Sequence, residues 1–345
     1  MTGVQTCALP IYRAAIDVTL YADVARPDDY SARLQSYGAH WRDTVGRSDE
    51  ALAALVREDG IDILVDLSGH TPGHRLLAFA RKPAPVQVTW NGYPNTTGMA
   101  AIDHRITDAL CDPPGATEHL HRETLVRLPA IYMAWQPPAD APAVAPLPAQ
   151  TRHAVTFGSF NSCYKITPAL IALWSRLLAR APASRLMLLT IDGAVATTRI
   201  RDLFAANGVD AARLDIRPRV THEEFLALHG EVDVALDAFP YHGTTTTCFS
   251  LWMGVPVVTR AGAVHAARVG ASLLTNVGLP ELVAHSDDEY VDIAARLAGD
   301  LPQLAALRAG LRERMTHSPL TDGRACARNL EHALRQMWMA WCAQR

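Results

Sequence analysis

Lysine is almost missing from this chain. Of 345 residues only Lys82 and Lys165 carry it, and arginine supplies the other permanently basic side chains. We read that bias as a compositional habit rather than a function, but it makes a lysine at a polar site conspicuous. An excess of one charge sign is missing too. The formal net charge of −3 gives no reason to expect nucleic acid or an anionic membrane as a partner. No apolar run approaches the roughly eighteen residues that a membrane-spanning helix needs. The cysteines Cys7, Cys111, Cys163, Cys248, Cys326 and Cys342 form no CxxC pair. That argues against a disulfide framework or a zinc ribbon and fits a reduced, cytoplasmic chain. What the chain does have is apolar mass: 49% of it is hydrophobic, enough for a sizeable core. Its length favours two domains over one.

Residues 1–11 (MTGVQTCALPI) match nothing in the pattern that follows, and they lack the basic start and sustained apolar core of a signal peptide. We read them as a foreign leader. Strand and helix patterns then alternate. Residues 16–22, 61–67, 86–90 and 106–107 read as strands, and 48–58 as a helix with Ala51, Leu52, Leu55 and Val56 on one face. This first domain, 12–135, ends at a proline- and alanine-rich linker, 136–150. A second domain, 151–345, repeats the alternation. Strands are expected at 155–159, 185–190, 214–217, 232–236 and 255–259. Helices are expected at 168–180, 194–207, 222–229, 246–253, 288–297, 302–315 and 322–343. The fold class is therefore α/β, with two doubly wound parallel sheets and a ligand expected between them.

The most informative stretch is 241–259, YHGTTTTCFSLWMGVPVVT. Four consecutive threonines are a poor helix interior but a good helix start, where backbone N–H groups lack internal partners. Those N–H groups and the helix dipole form an anion site, and a preceding glycine permits close backbone approach. Two readings stay open: an ordinary capped turn, or a phosphate cradle. The loop at the end of strand 155–159, GSFNSCYK, adds Asn161, an amide that donates and accepts, and Lys165, a compact cation suited to a diphosphate. Other candidates are weaker. His119 and His121 lack a third metal ligand and read as solvated. His70 and His74 flank Pro72 and Gly73 without the glutamate of a zinc helix. Asp233 and Asp237 flank the end of strand 232–236, and Asp237 reads as a structural acceptor for the following loop rather than an acid or base; Trp338 and Trp341 read as core packing on one helix face.

Several separated segments together resemble the O-linked N-acetylglucosamine transferase family, which includes plant SPINDLY. They are DGIDILVDLSGHTPGHRLLAFARKPAPVQVTWNGYPNTTGM, NSCYKITPALIALWSRLLARAPASRLMLL, DVALDAFPYHGTTTTCFSLWMGVPVVTRAG and the tail SPLTDGRACARNLEHALRQMW. The resemblance implies a GT-B fold of two Rossmann-like domains. It implies inverting, metal-independent transfer of N-acetylglucosamine from UDP-GlcNAc to Ser and Thr of proteins, with no cofactor. It places the diphosphate lysine, the catalytic site residue, on Lys165. Further donor contacts fall on Asn161, Ser162, His222, His242, Gly243, Thr244, Thr245 and Thr246. His70 and Tyr93 fall in loops lining the first domain's side of the cleft. Two rival readings remain: fucosyl transfer of the SPINDLY type, and a non-catalytic nucleotide- or protein-binding fragment.

The departures matter as well. The family's histidine loop, His-x-x-x-His after a Gly-Tyr-x-Ser-x-Asp-Phe strand, is expected upstream of residue 16, as are TPR repeats that select acceptors. No 34-residue period occurs here. The chain thus reads as an N-terminally truncated catalytic region, from which little transfer is expected. Phe249 stands where relatives carry an acidic residue for the ribose, and an aromatic ring cannot accept those hydrogen bonds. His222 and Phe225 stand where the animal enzyme has a basic residue and a histidine.

Overall fold

A computed structural model describes residues 16–37, 40–189 and 193–345. The expected foreign leader, 1–11, lies outside the described residues. The chain forms two compact units. One holds residues up to Gln136 together with Asp322–Arg345, and the other is Pro137–Thr321.

In the first unit β1 (Thr19–Ala22), α1 (Asp29–Ser36) and β2 (His40–Asp43) form a small parallel pair with its crossover helix. Next comes α2 (Asp49–Glu58). Ser48 caps it by accepting from Ala51 N, and Leu52, Ala53 and Val56 form its buried stripe. Then β3 (Ile63–Asp66), α3 (Leu76–Ala80), β4 (Val86–Thr89), β5 (His104–Asp108) and β6 (Thr124–Leu128) follow. Their four strands lie side by side in chain order, all parallel.

The second unit begins with α4 (Ala149–Arg152), β7 (Thr156–Ser159) and α5 (Pro168–Arg180). Thr167 caps α5, and Pro168 opens it, where a missing N–H costs nothing. β8 (Arg185–Leu188), α6 (Ala194–Ala206), β9 (Leu214–Ile216), α7 (His222–Leu228), β10 (Val234–Leu236) and α8 (Thr245–Trp252) continue the alternation. β11 (Val257–Arg260), α9 (Val269–Asn276), β12 (Val283–Ala284), α10 (Asp287–Gly299) and α11 (Leu301–Thr316) complete it. The six parallel strands are ordered β12-β11-β10-β7-β8-β9. The chain winds outward from β7 to β9, then returns to the other side of β7 with β10. The switch point thus falls between β7 and β10, where open α/β sheets bind ligands beyond the strand ends.

The expected linker, 136–150, is tied down rather than loose. Arg308 Nε donates to Ala145 O at 2.7 Å and Arg312 Nη2 to Pro142 O at 2.7 Å. Asp233 accepts from Ala149 N and Thr156 N, both at 2.8 Å, fastening α4 beside β7. The last helix, α12 (Gly323–Cys342), is a correction to the expected domain 151–345. Its buried stripe of Cys326, Ala327, Leu330, Ala333, Leu334 and Met337 belongs to the first unit, where it packs on β4 and β6. An amphipathic stripe shows that a helix covers something, not what it covers. Trp338 and Trp341 stack on each other at 4.9 Å and stay partly exposed, outside the buried stripe expected to hold them.

Candidate functional site

At the switch point, the loop after β7 and the loop after β10 are joined by a few short contacts. Asp237, buried at the end of β10, accepts from Gly243 N at 2.7 Å and Ala238 N at 2.9 Å through Oδ1. Its Oδ2 accepts from Thr259 Oγ1 at 2.8 Å. It is the structural acceptor that the sequence suggested, folding the loop back on itself so that α8 starts beside β7.

Gly243 is required by close approach. A Cβ there would lie 2.3 Å from Thr246 Oγ1 and 2.8 Å from Asn161 Oδ1. No side chain caps the start of α8 at Thr244, which speaks against the ordinary capped turn. Two of the threonine hydroxyls are committed elsewhere: Thr246 Oγ1 donates to Asn161 Oδ1 at 3.4 Å and Thr247 Oγ1 to Gly243 O at 3.1 Å. The start of α8 therefore carries N–H groups without a side-chain cap, the feature an anion site would use.

Across this turn, Ser162 O accepts from Lys165 N at 3.0 Å, closing the short turn 163–165 that presents the lysine. Lys165 Nζ donates to His242 O at 2.6 Å and stands 3.9 Å from the centre of the Tyr241 ring. Burial holds its proton affinity below the ordinary lysine range, against the pull of Asp237. Contacts thus join Lys165 to the loop at His242, and Asn161 to Gly243 and Thr246.

His242 differs. Its ring is buried, with Nδ1 accepting from Gly270 N at 2.9 Å and Nε2 2.9 Å from Arg260 O. That pattern fixes the tautomer with the proton on Nε2. Burial lowers its proton affinity, so the imidazole is a neutral latch between loops. Its carbonyl, not its ring, belongs to the site. His222 opens α7 and is exposed, its ring 5.7 Å from Phe249. Phe249 meets Phe225 edge-on at 5.3 Å, and Phe225 meets Phe160 at 5.7 Å. The two aromatic departures form one apolar cluster one helical turn from the cradle.

In the first unit, His70 and Tyr93 sit on neighbouring loops after β3 and β4. Their rings meet edge-on at 5.3 Å, and His70 Nε2 lies 2.8 Å from Thr97 O. The loops touch so closely that a Cβ on Gly69 would lie 2.2 Å from Tyr93 Cβ. Two supports escaped the sequence reading. Buried Arg105 donates to Tyr93 O at 3.0 Å and Asn95 O at 2.5 Å. Burial pushes the carboxyl of Glu123 up, but hydrogen bonds from Thr96 and Thr97 outweigh it and hold it below its ordinary value. The strand HRITD holds only one apolar residue, so no periodicity in the sequence marked Arg105 as buried. His121 is not solvated as expected: its side chain is buried, with Nε2 3.2 Å from Asp112 Oδ1. Among the described residues no cluster of three or more metal-ligating side chains occurs, and no helix is long and apolar enough to cross a membrane.

Comparison with known proteins agrees with this geometry. The pattern of glycosyl transferase family 41 matches residues 13–135 and 146–330. A probable UDP-N-acetylglucosamine–peptide N-acetylglucosaminyltransferase SPINDLY from Solanum lycopersicum is 45% identical over 332 residues, covering 94% of this chain and 36% of that protein. The corresponding SEC protein of Arabidopsis thaliana is 33% identical over 341 residues, covering 96% of this chain and 35% of that protein. The chain spans about a third of the length of these relatives. A mutant Thermobaculum terrenum O-GlcNAc transferase matches with a TM-score of 0.93 at 40% identity, covering 99% of this chain and 65% of that one. Anabaena HepE, solved with UDP and glucose, matches at 14% identity with a TM-score of 0.57, covering 97% of this chain and 96% of that one; it shares the fold alone. The parallel-sheet units are those of the GT-B fold, and the chain belongs to glycosyl transferase family 41.

Proposed function

We propose that this chain is the catalytic region of a protein O-GlcNAc transferase. Its donor is UDP-GlcNAc, its acceptors are Ser and Thr hydroxyls of proteins, and it needs no metal or cofactor. The observation that carries this is the convergence of Lys165 and the uncapped start of α8 at one switch point. A cation and a row of N–H groups there stabilise charge that builds on a diphosphate leaving group, the task a metal performs in other enzymes. The acceptor oxygen attacks the anomeric carbon from the face opposite the diphosphate. The bond from that carbon to the diphosphate oxygen breaks, UDP departs with the electron pair, and the configuration inverts. The hydroxyl proton passes to a base. His242 is not that base, because both its ring nitrogens are committed. The activities for which the relatives are named support the donor and the protein acceptor. Cytoplasmic action is supported by the scattered cysteines, which form no CxxC pair. Acceptor selection by TPR repeats elsewhere in a full-length protein belongs to the same proposal.

Calorimetry with UDP tests the cradle. Binding is expected, and silence at millimolar UDP would remove the site assignment. Lys165→Ala should weaken binding by about 1–3 kcal/mol, the range for hydrogen bonds to charged groups. Labelled UDP-GlcNAc and GDP-fucose, each offered with a peptide acceptor, distinguish GlcNAc transfer from the rival fucosyl donor.

A further inference from the structure

We propose that Tyr241 is a positioning residue for Lys165, its ring face holding the ammonium beside the cradle without neutralising it. The inference rests on the anion-cradle reading and adds the group that aims its cation.

Lys165 is half-buried, and among the described residues no carboxylate comes within ion-pair distance of its Nζ. Three neighbouring groups set its charge balance. Asp237 acts on it electrostatically, but that carboxylate already accepts from Gly243 N, Ala238 N and Thr259 Oγ1. The His242 ring, with both nitrogens committed to backbone groups, is neutral, and the Tyr241 ring face is the third neighbour. The ammonium is therefore held by a carbonyl at 2.6 Å and a ring face at 3.9 Å. Both are dipolar or quadrupolar partners with no net charge. A salt bridge would orient the lysine equally well but would cancel the charge that a diphosphate needs. A ring face attracts the cation and leaves its charge intact.

The chain order makes this economical. Tyr241 supplies the ring, His242 the carbonyl, and Gly243 the close approach that opens the cradle, so one short loop sets all three. Tyr241 itself is 45% exposed. A lysine stem has four rotatable bonds whose freedom is lost when it grips a ligand. A stem already held in place loses less on binding.

The scarcity of lysine gives a direct test. Reductive methylation with labelled formaldehyde yields two side-chain resonances, from Lys82 and Lys165. Lys82, bonded to Asp103 and to Ala101 O, is the internal reference. In Tyr241→Leu the Lys165 midpoint should fall by about half a pH unit while Lys82 stays fixed. UDP should bind about two- to fivefold more weakly with the melting temperature unchanged. Tyr241→Phe should restore both readouts. Unchanged Lys165 titration and UDP affinity in Tyr241→Leu would overturn the proposal. So would equal losses in the Leu and Phe variants, which would assign the effect to the hydroxyl. If wild-type protein binds no UDP, the cradle reading fails, and the Lys165 midpoint still decides the role of Tyr241.

Discussion

Gly243 is the residue on which the cradle's geometry turns. An alanine methyl would meet the mobile Thr246 hydroxyl, but also Asn161 Oδ1 at 2.8 Å in a buried side chain. Relief requires the β7 and β10 loops to part. Gly243→Ala should destabilise the protein by about 1–3 kcal/mol. It should also lower UDP affinity at least about tenfold, since about 1.4 kcal/mol lost by misaligned donors is already that factor. Thermal melts and calorimetry on one preparation check both. Phe249 makes the opposite case. If the ribose lies beside it, Phe249→Glu should raise UDP affinity by about three- to tenfold through a new charged acceptor. It should leave 2′-deoxy-UDP behind, and equal gains for both nucleotides would show that the hydroxyl is not contacted there. At this scale the sequence was a good guide where a residue's chemistry is local. Gly243 sits at a close approach and Asp237 accepts from its loop, as their types suggested. His242 was not legible as a latch, because its partners Gly270 and Arg260 come from the next strand and helix.

At the scale of elements, α7 and α8 are coupled through a buried histidine. His229 follows α7, stacks on Phe160 at 4.0 Å and lies 2.8 Å by Nδ1 from Phe225 O. Its Nε2 is 3.5 Å from Ser250 Oγ on α8. Burial pushes its proton affinity down to about 4. The unfolded chain binds a proton near 6.5, and the folded protein does not. The contribution is therefore complete above about 6.5 and is lost as pH falls from there toward 4. It amounts to roughly 3 kcal/mol over that window. Denaturant titrations at several pH values should show a shallower acid slope in His229→Phe than in wild type, and parallel slopes would refute the assignment. Elements were legible where apolar periodicity was strong, as in α2 and α5. The sequence reading missed α1, whose segment DYSARLQS buries only Ser31, because its signal is the Asp28–Ser31 capping box and not a stripe. It also missed β2, since HWRD buries no side chain.

At the scale of the whole molecule, alternating strands and helices announced two parallel-sheet units, but not how the chain is shared between them. Arg308 shows one reason. It is buried on α11 and donates to Ala145 O, Val232 O and His229 O, so a segment that reads as a free linker is clamped by a side chain about 160 residues later. Arg308→Met would leave three carbonyls without that donor and should cost about 2–5 kcal/mol, measured by denaturant unfolding. The last helix shows the other reason. α12 follows the second unit in sequence but contributes its apolar stripe to the sheet of the first. Ending the chain after Thr321 should therefore damage the distant unit and spare the adjacent one. Loss of six buried side chains uncovers the β4 and β6 face, and core truncations of that kind cost several kcal/mol. Hydrogen exchange should show lost protection in β3–β6, with β7, β8, β10 and β11 still protected. If the proposed site lies wholly in the second unit, UDP affinity should change less than about threefold. Loss of protection in β7 and β10 instead would place α12 with the unit that precedes it.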